Sequence, residues 1–358
     1  MAEMRTGPIG HDELALAARN HGMPLEALRY PITPAGLHYL LIHYDIPAVD
    51  PGAWRLEIDG NVATPLTLGV EDLAARPRVT VPVILECAGN GRALQSPRPL
   101  SQPWLLEAVG NAEWTGTPLR PLLEEAGMLD GSVEVLFTGL DRGIEGAIDQ
   151  AYERSLPLAE AIGDDVLLAD EMNGQPLLPQ HGFPLRLIVP GWYGMTQVKW
   201  LHRIQVLTEP FEGYQHTNSY RFAASENDPG EPLSRIRPRS LMVPPGVPGF
   251  PIRTRHAEPG PTLVQGRAWS GLGAIERVEF SSDGGATWAD AELTPATGDF
   301  AWCGWTFTWE AEPGEHELCC RTTDETGATQ PLEGEWNVGG YSNNAVQRVP
   351  VVVAEPVG

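Results

Sequence analysis

A chain in which 39 glycines and 34 prolines stand among 358 residues has to turn often. Glycine weakens helix interiors, and proline removes a backbone donor and locks φ, so long helices are excluded and short elements joined by tight turns are required. With 42 % hydrophobic residues the chain can still build a substantial interior. A single core rarely grows past roughly 250–300 residues, which makes two domains the expectation. Lys and Arg number 24 against 47 Asp and Glu, a formal charge of −23. Such a surface repels nucleic-acid phosphates and anionic membranes and favours basic protein partners. No stretch approaches 18 uncharged apolar residues, and residues 1–20 show neither a basic-then-apolar leader nor a twin arginine. The expectation is a cytoplasmic protein with reduced thiols and no membrane insertion.

Short elements can be placed from pattern. Residues 37–46 read as a strand, 54–58 as a strand ending in the Asp59-Gly60 turn, and 67–75 as a short helix. An apolar strand at 79–86 runs directly into Cys87. A helix follows at 118–126, with strands at 133–137, 185–189 and 198–206. The stretch 222–251 is rich in Pro, Gly, Ser and Arg and reads as a connection. Beyond it lie six short strand candidates, at 261–269, 275–282, 287–292, 303–310, 316–322 and 347–353, which is the texture of an immunoglobulin-like β-sandwich. The division is therefore an N-terminal extension at 1–36, an α+β domain at 37–235 and an all-β domain at 236–358.

Cys87, Cys303, Cys319 and Cys320 form no CxxC, and the nine histidines form no HxH or HxxxH pair, so zinc ribbons and zinc hydrolases are unsupported. There is no GxSxG and no P-loop. Cys87 precedes Gly89 and Gly91 at a strand end, with Arg92 five residues on; this is either a buried structural thiol or one activated beside a cation. Lys199 is the sole lysine of the chain and follows Gly191, Gly194 and Thr196, a segment able to cradle a phosphate or to serve as an ordinary turn. Tyr214, His216 and Tyr220 stand just before the connection, where they could close over a pocket or lie exposed.

ECAGNGR at 86–92, GNAEWTGTPLRPLLEEAG at 110–127, MNGQPLLPQHGFPLRLIVPGWYG at 172–194, VKWLHRI at 198–204 and WNVGGYSNN at 336–344 together resemble the sulfite oxidase family of molybdenum enzymes. The resemblance covers most of 37–353. It implies an α+β molybdopterin-binding domain followed by an immunoglobulin-like dimerisation domain, a homodimer, and the molybdenum-molybdopterin cofactor. By the same resemblance Cys87 is the thiolate ligand of molybdenum, a soft donor that suits a metal already held by the sulfurs of the pterin dithiolene. Arg92, Tyr220 and Arg321 are implied at the substrate, and His43, Asp141, His181, Arg186, Thr196 and Lys199 at the pterin and its phosphate.

The implied reaction is oxygen-atom transfer to sulfite, giving sulfate, with electrons passed to a separate acceptor such as a cytochrome. One departure stands out. Leu41 and Ile42 occupy the places of the arginine and asparagine in the family's Arg-Asn-His motif, ahead of His43. Losing a charge-assisted hydrogen bond to an oxyanion costs roughly 1.5–3 kcal/mol. Two alternatives therefore stand beside sulfite oxidation: a related enzyme acting on another small oxyanion or sulfoxide, even as a reductase, and a non-catalytic cofactor-binding or interaction protein.

Overall fold

The computed structural model describes residues 4–354. Two sheets build the α+β domain. In the first, Val79–Glu86, Val109–Pro118 and Leu167–Met172 lie side by side antiparallel, and both Gln175–Pro176 and Arg186–Ile188 pair with Leu167–Met172. In the second the order is Leu66–Leu68, Leu56–Gly60, Leu201–Leu207, Glu134–Glu145, Ile148–Pro157, with only the Leu56–Gly60 and Leu201–Leu207 pair parallel.

Helix Leu119–Ala126 buries Leu119, Leu122, Leu123 and Ala126 completely, the i, i+3, i+4, i+7 stripe of an amphipathic helix. Each buried leucine contributes about 1.5–3 kcal/mol. The helix stops at Gly127, whose φ of 70° a side chain would resist.

Strand Val79–Glu86 is exposed over its first residues and buried over its last four, so it delivers Cys87 to the interior. The expected helix at 67–75 divides into strand Leu66–Leu68 and helix Val70–Ala74, because Gly69 breaks the run and caps the helix. The expected strand at 37–46 is not one. Only a single bridge, Leu40 to His21, forms there, and the segment turns along the wall of a cleft. Strands Glu134–Glu145 and Ile148–Pro157 form a hairpin longer than the apolar pattern suggested, since its outer half is polar and solvent-facing.

In the second domain, Arg239–Met242, Gly260–Trp269, Cys303–Ala311 and Glu292–Thr294 form one sheet. Arg255–Ala257, Gln347–Val353, Gly314–Asp324 and Ile275–Ser281 are the centre of the other. Val264, Trp305, Val278, Leu318, Cys320 and Val351 fill the space between them. Strand Arg239–Met242 lies inside the stretch read as a connection; its four residues are all buried, and the surrounding prolines obscured it.

The N-terminal segment is packed in. Met23, Ala27 and Leu28 are buried in the main core, which also takes in Trp269 and Trp302 from the sandwich. Trp302 Nε1 donates to the Pro31 carbonyl at 2.7 Å. No helix of the described residues is long and apolar enough to cross a membrane.

Candidate active site

Cys87 caps the buried end of its strand and is 7 % exposed. Its backbone N–H donates to Ala108 and its carbonyl accepts from Asn90, both at 2.9 Å, which curls the chain into a tight loop. Gly91 has φ 90°, and a Cβ there would lie 2.8 Å from the Asn343 carbonyl, so only glycine fits. Segment 336–344 of the sandwich domain seals the loop from behind. Ser342 N donates to Ala88 O at 2.8 Å, and Asn343 Nδ2 to Gly91 O at 2.8 Å. Burial pushes the Cys87 thiol up, against Arg92, the Gly89 backbone and Trp104, which all favour the thiolate.

In front of Cys87 opens a narrow cleft. Seven of the residues expected from the sequence line it: His43, Cys87, Asp141, His181, Arg186, Lys199 and Tyr220. At one end, Arg186 is buried with its guanidinium 4.5 Å from the Trp114 ring centroid, donating to the His181 carbonyl at 3.1 Å. Burial pulls Arg186 down to about 10. Lys199 Nζ donates to the carbonyls of Leu41 (2.8 Å) and Gln180 (3.1 Å). Burial and the Arg186 charge bring it down to about 7, with Asp141 opposing.

His181 is held neutral by burial and by His38 and the neighbouring cations. Burial raises Asp141 to about 6, against Lys199 and His43. Arg186 Nε, Thr196 Oγ1 and Asp141 Oδ1 are buried with no hydrogen-bond partner. Two buried cations with a single carboxyl near them, beside the unsatisfied Arg186 Nε and Thr196 Oγ1, suit a phosphate-bearing group.

At the other end stand tyrosines. Tyr220 is 8 % exposed and takes a φ of 54°, a left-handed backbone that costs roughly 1–3 kcal/mol and concentrates at functional sites. Its hydroxyl lies 3.4 Å from His43 Nδ1, and His43 Nε2 lies 3.1 Å from Glu145 Oε2. The His43 bond, ahead of opposing burial, holds the Glu145 carboxyl below its usual range. Glu145 also accepts from Gln215 Nε2 at 2.8 Å. Tyr152, on the same wall, donates to the Met195 carbonyl at 2.7 Å.

Three expected residues are placed elsewhere. Thr196 sits in the turn Gly194–Thr196, fully buried, outside the lining. Arg92 lies behind the Cys87 loop: Nε donates to Gly339 O at 2.9 Å, and Nη1 to Ser101 Oγ at 3.0 Å and Gln102 O at 3.3 Å. Arg321 is not brought to the cleft. It pairs with Glu279 at 2.7 Å within the sandwich sheet and covers Trp288 at 4.2 Å.

Sequence reading missed Tyr152, Arg154, Glu145 and Tyr341. Tyr152 and Arg154 alternate on a strand whose pattern was not recognised, and Tyr341 arrives from the other domain, which spacing does not reveal. Among the described residues no three His, Cys, Asp or Glu side chains gather as a metal site, so Cys87 has no protein co-ligand and a metal there needs a second chelator.

Residues 43–215 match the oxidoreductase molybdopterin binding domain, and residues 247–354 the Mo-co oxidoreductase dimerisation domain. The chain is 34 % identical over 375 residues to the mitochondrial sulfite oxidase of Mus musculus, covering 97 % of this chain and 67 % of the mouse protein. It spans 62 % of the human enzyme of the same name, at 34 % identity over 347 residues, or 90 % of this chain. Nitrate reductase [NADH] 1 of Oryza sativa subsp. japonica is 33 % identical over 355 residues, 91 % of this chain and 38 % of that protein. The crystal structure of the sulfane dehydrogenase SoxCD from Paracoccus pantotrophus superposes with a TM-score of 0.80 at 29 % identity, covering 96 % of this chain and 90 % of that one.

Proposed function

The chain belongs to the sulfite oxidase family of molybdenum-molybdopterin oxidoreductases, and from that premise we propose that it oxidises sulfite to sulfate and passes the electrons to a separate acceptor such as a cytochrome. The observation that supports this most is the pair of buried cations lining the cleft, Arg186, which meets only carbonyls and the Trp114 ring, and Lys199, which meets two carbonyls with Asp141 as its one acidic neighbour. Such charges are costly unless anions complete them.

Cys87 would hold the metal by its thiolate, and Arg186, Lys199, Thr196 and Asp141 would hold the pterin and its phosphate. The bound group supplies the two-electron redox change and the oxygen-atom transfer. The chain does the rest. Sulfite gains one oxygen that derives from water, and two protons and two electrons must leave. With Glu145 ionised, His43 carries its proton on Nε2 toward that carboxylate and Nδ1 accepts the Tyr220 O–H, so the phenol oxygen faces the cleft as an acceptor. A proton released there is taken up at that oxygen as the phenol passes its own to His43, along a line that ends at a carboxylate 36 % exposed on its side chain. The dimerisation domain would pair two copies, and the acidic surface would suit a basic electron carrier.

A second reading, a different small oxyanion or a sulfoxide, is favoured by Leu41, whose side chain brings no charge to the cleft wall. Purified protein with its molybdenum content measured, assayed for sulfite-dependent reduction of ferricyanide or a c-type cytochrome, tests the choice. Sulfite-dependent reduction by metal-replete protein is expected. Full occupancy with no sulfite turnover, but turnover of another oxo compound, would pass the assignment to the second reading.

A further inference from the structure

Arg154 lies on strand Ile148–Pro157 two residues from Tyr152, so the pleat puts both on one face; Tyr152 and Tyr220 line the cleft, and Arg154 stands just behind them, against the Tyr220 ring and outside the lining itself. Its guanidinium is among the most deeply buried charges of the molecule, 2 % exposed, and it makes no ion pair with a carboxylate among the described residues. Its electrostatic neighbours are the phenols of Tyr152, Tyr220 and Tyr341. Nη1 donates to the Gln215 carbonyl, and Nε has no partner at all.

The arrangement extends further. Arg154 faces the Tyr220 ring at 5.5 Å, Tyr220 packs on Tyr341 at 5.4 Å, and Arg92 covers Tyr341 at 4.8 Å. Two cations thus flank a pair of stacked tyrosines beside Cys87. The donors of Arg92 are engaged by Gly339, Ser101 and Gln102, whereas Arg154 keeps one unsatisfied. Two other buried arginines are matched by acids, Arg98 with Glu13 at 2.8 Å and Arg239 with Glu86 at 2.9 Å, and Arg255 is matched by three carbonyls, of Pro244, Pro245 and Gly246. One carbonyl and one ring are poor compensation for a buried charge, and an anion entering from the cleft would complete it.

We propose that Arg154 is the specificity-determining cation of the substrate end of the cleft, supplying from strand Ile148–Pro157 the positive charge that Leu41 does not. The proposal rests on the reading of this end as an oxyanion site and adds the residue that selects for charge. It predicts that the pocket discriminates by the charge of the substrate even though position 41 is apolar.

The test uses the holoenzyme and its Arg154→Met and Arg154→Lys variants, normalised to bound molybdenum. Two quantities are read: the kcat and KM for sulfite, and the affinity for sulfate by calorimetry, which needs no turnover. Arg154→Met is expected to weaken sulfate binding and raise the sulfite KM by roughly 10- to 100-fold, with kcat changed less, while Arg154→Lys stays within about threefold. Unchanged KM and sulfate affinity in a folded, metal-replete Arg154→Met enzyme would overturn the proposal, as would equal losses in both variants, which would mark shape rather than charge. Loss of sulfate affinity in an enzyme that does not oxidise sulfite would remove the proposed reaction and leave the role of Arg154 standing.

Should Arg154→Met not fold, the unmodified holoenzyme crystallised with sulfate decides. An anion within about 5 Å of the guanidinium supports the role, where charges interact strongly, and one held beside Cys87 beyond about 8 Å from it contradicts the role.

Discussion

At the seam between the domains, Arg239 lies 2.9 Å from Glu86, whose other oxygen accepts from Trp269 Nε1 at 2.8 Å. Around the cleft, Arg186 in its lining and Arg154 behind Tyr220 are also deeply buried and meet only carbonyls and aromatic rings. At the seam the buried cation has a buried carboxylate against it. Arg154 and Arg186 have none among the described residues. Buried charge is thus balanced by an opposite charge in one region and not in the other, and the difference lies in the partner, not in the depth of burial.

The largest effect that would break this comparison comes at the seam. Glu86→Ala strands the Arg239 guanidinium and should cost about 3–5 kcal/mol, read as a lower denaturation midpoint at unchanged slope. In the cleft the same operation should behave differently. Arg186→Met removes a charge that had no counter-ion, which offsets the two carbonyl bonds it gives up. Cofactor-free Arg186→Met protein should stay within about 1 kcal/mol of wild type while cofactor retention falls. A stability loss matching that of Glu86→Ala would erase the distinction.

A smaller, pH-linked effect sharpens it. Lys199 sits near 7 in the empty cleft because burial and Arg186 disfavour its charge. A bound phosphate raises that value again, so the contribution of Lys199 to cofactor affinity is complete below about pH 7. It falls as pH rises through 7, until the pKa of the bound state is reached. The difference in cofactor dissociation between wild type and Lys199→Met should shrink over that window; a difference independent of pH would contradict the assignment.

The smallest effect is expected at Arg321. It is partly exposed, and Glu279 keeps Arg277 at 2.8 Å when Arg321 is removed. Arg321→Ala should change stability by no more than about 1 kcal/mol and leave the sulfite KM alone. A raised KM would return Arg321 to the substrate.

Much of this was legible in the sequence. The two textures of the chain separate the α+β domain from the sandwich, and helix Leu119–Ala126 follows from its leucine spacing. Cys87, His181, Arg186 and Lys199 could be found because each sits in a contiguous motif whose order is preserved. What was hidden is what the fold brings together from afar. Tyr341 reaches Tyr220 across more than a hundred residues of chain, and no local period announces it. Arg154 lies in AYERSLP, where alternation is blurred because Ser155 and Leu156 are buried as well. Arg321 was implied at the substrate by the resemblance alone; the strand register faces it to Glu279, away from the cleft lining.

The claim on which the rest depends is that the Cys87 sulfur is bonded to a pterin-held molybdenum. Molybdenum-edge X-ray absorption on metal-replete wild type and on Cys87→Ser protein tests it most directly. The account predicts one sulfur scatterer fewer in the variant, with turnover lost and the fold intact by circular dichroism. An unchanged sulfur shell in a metal-replete variant would contradict it.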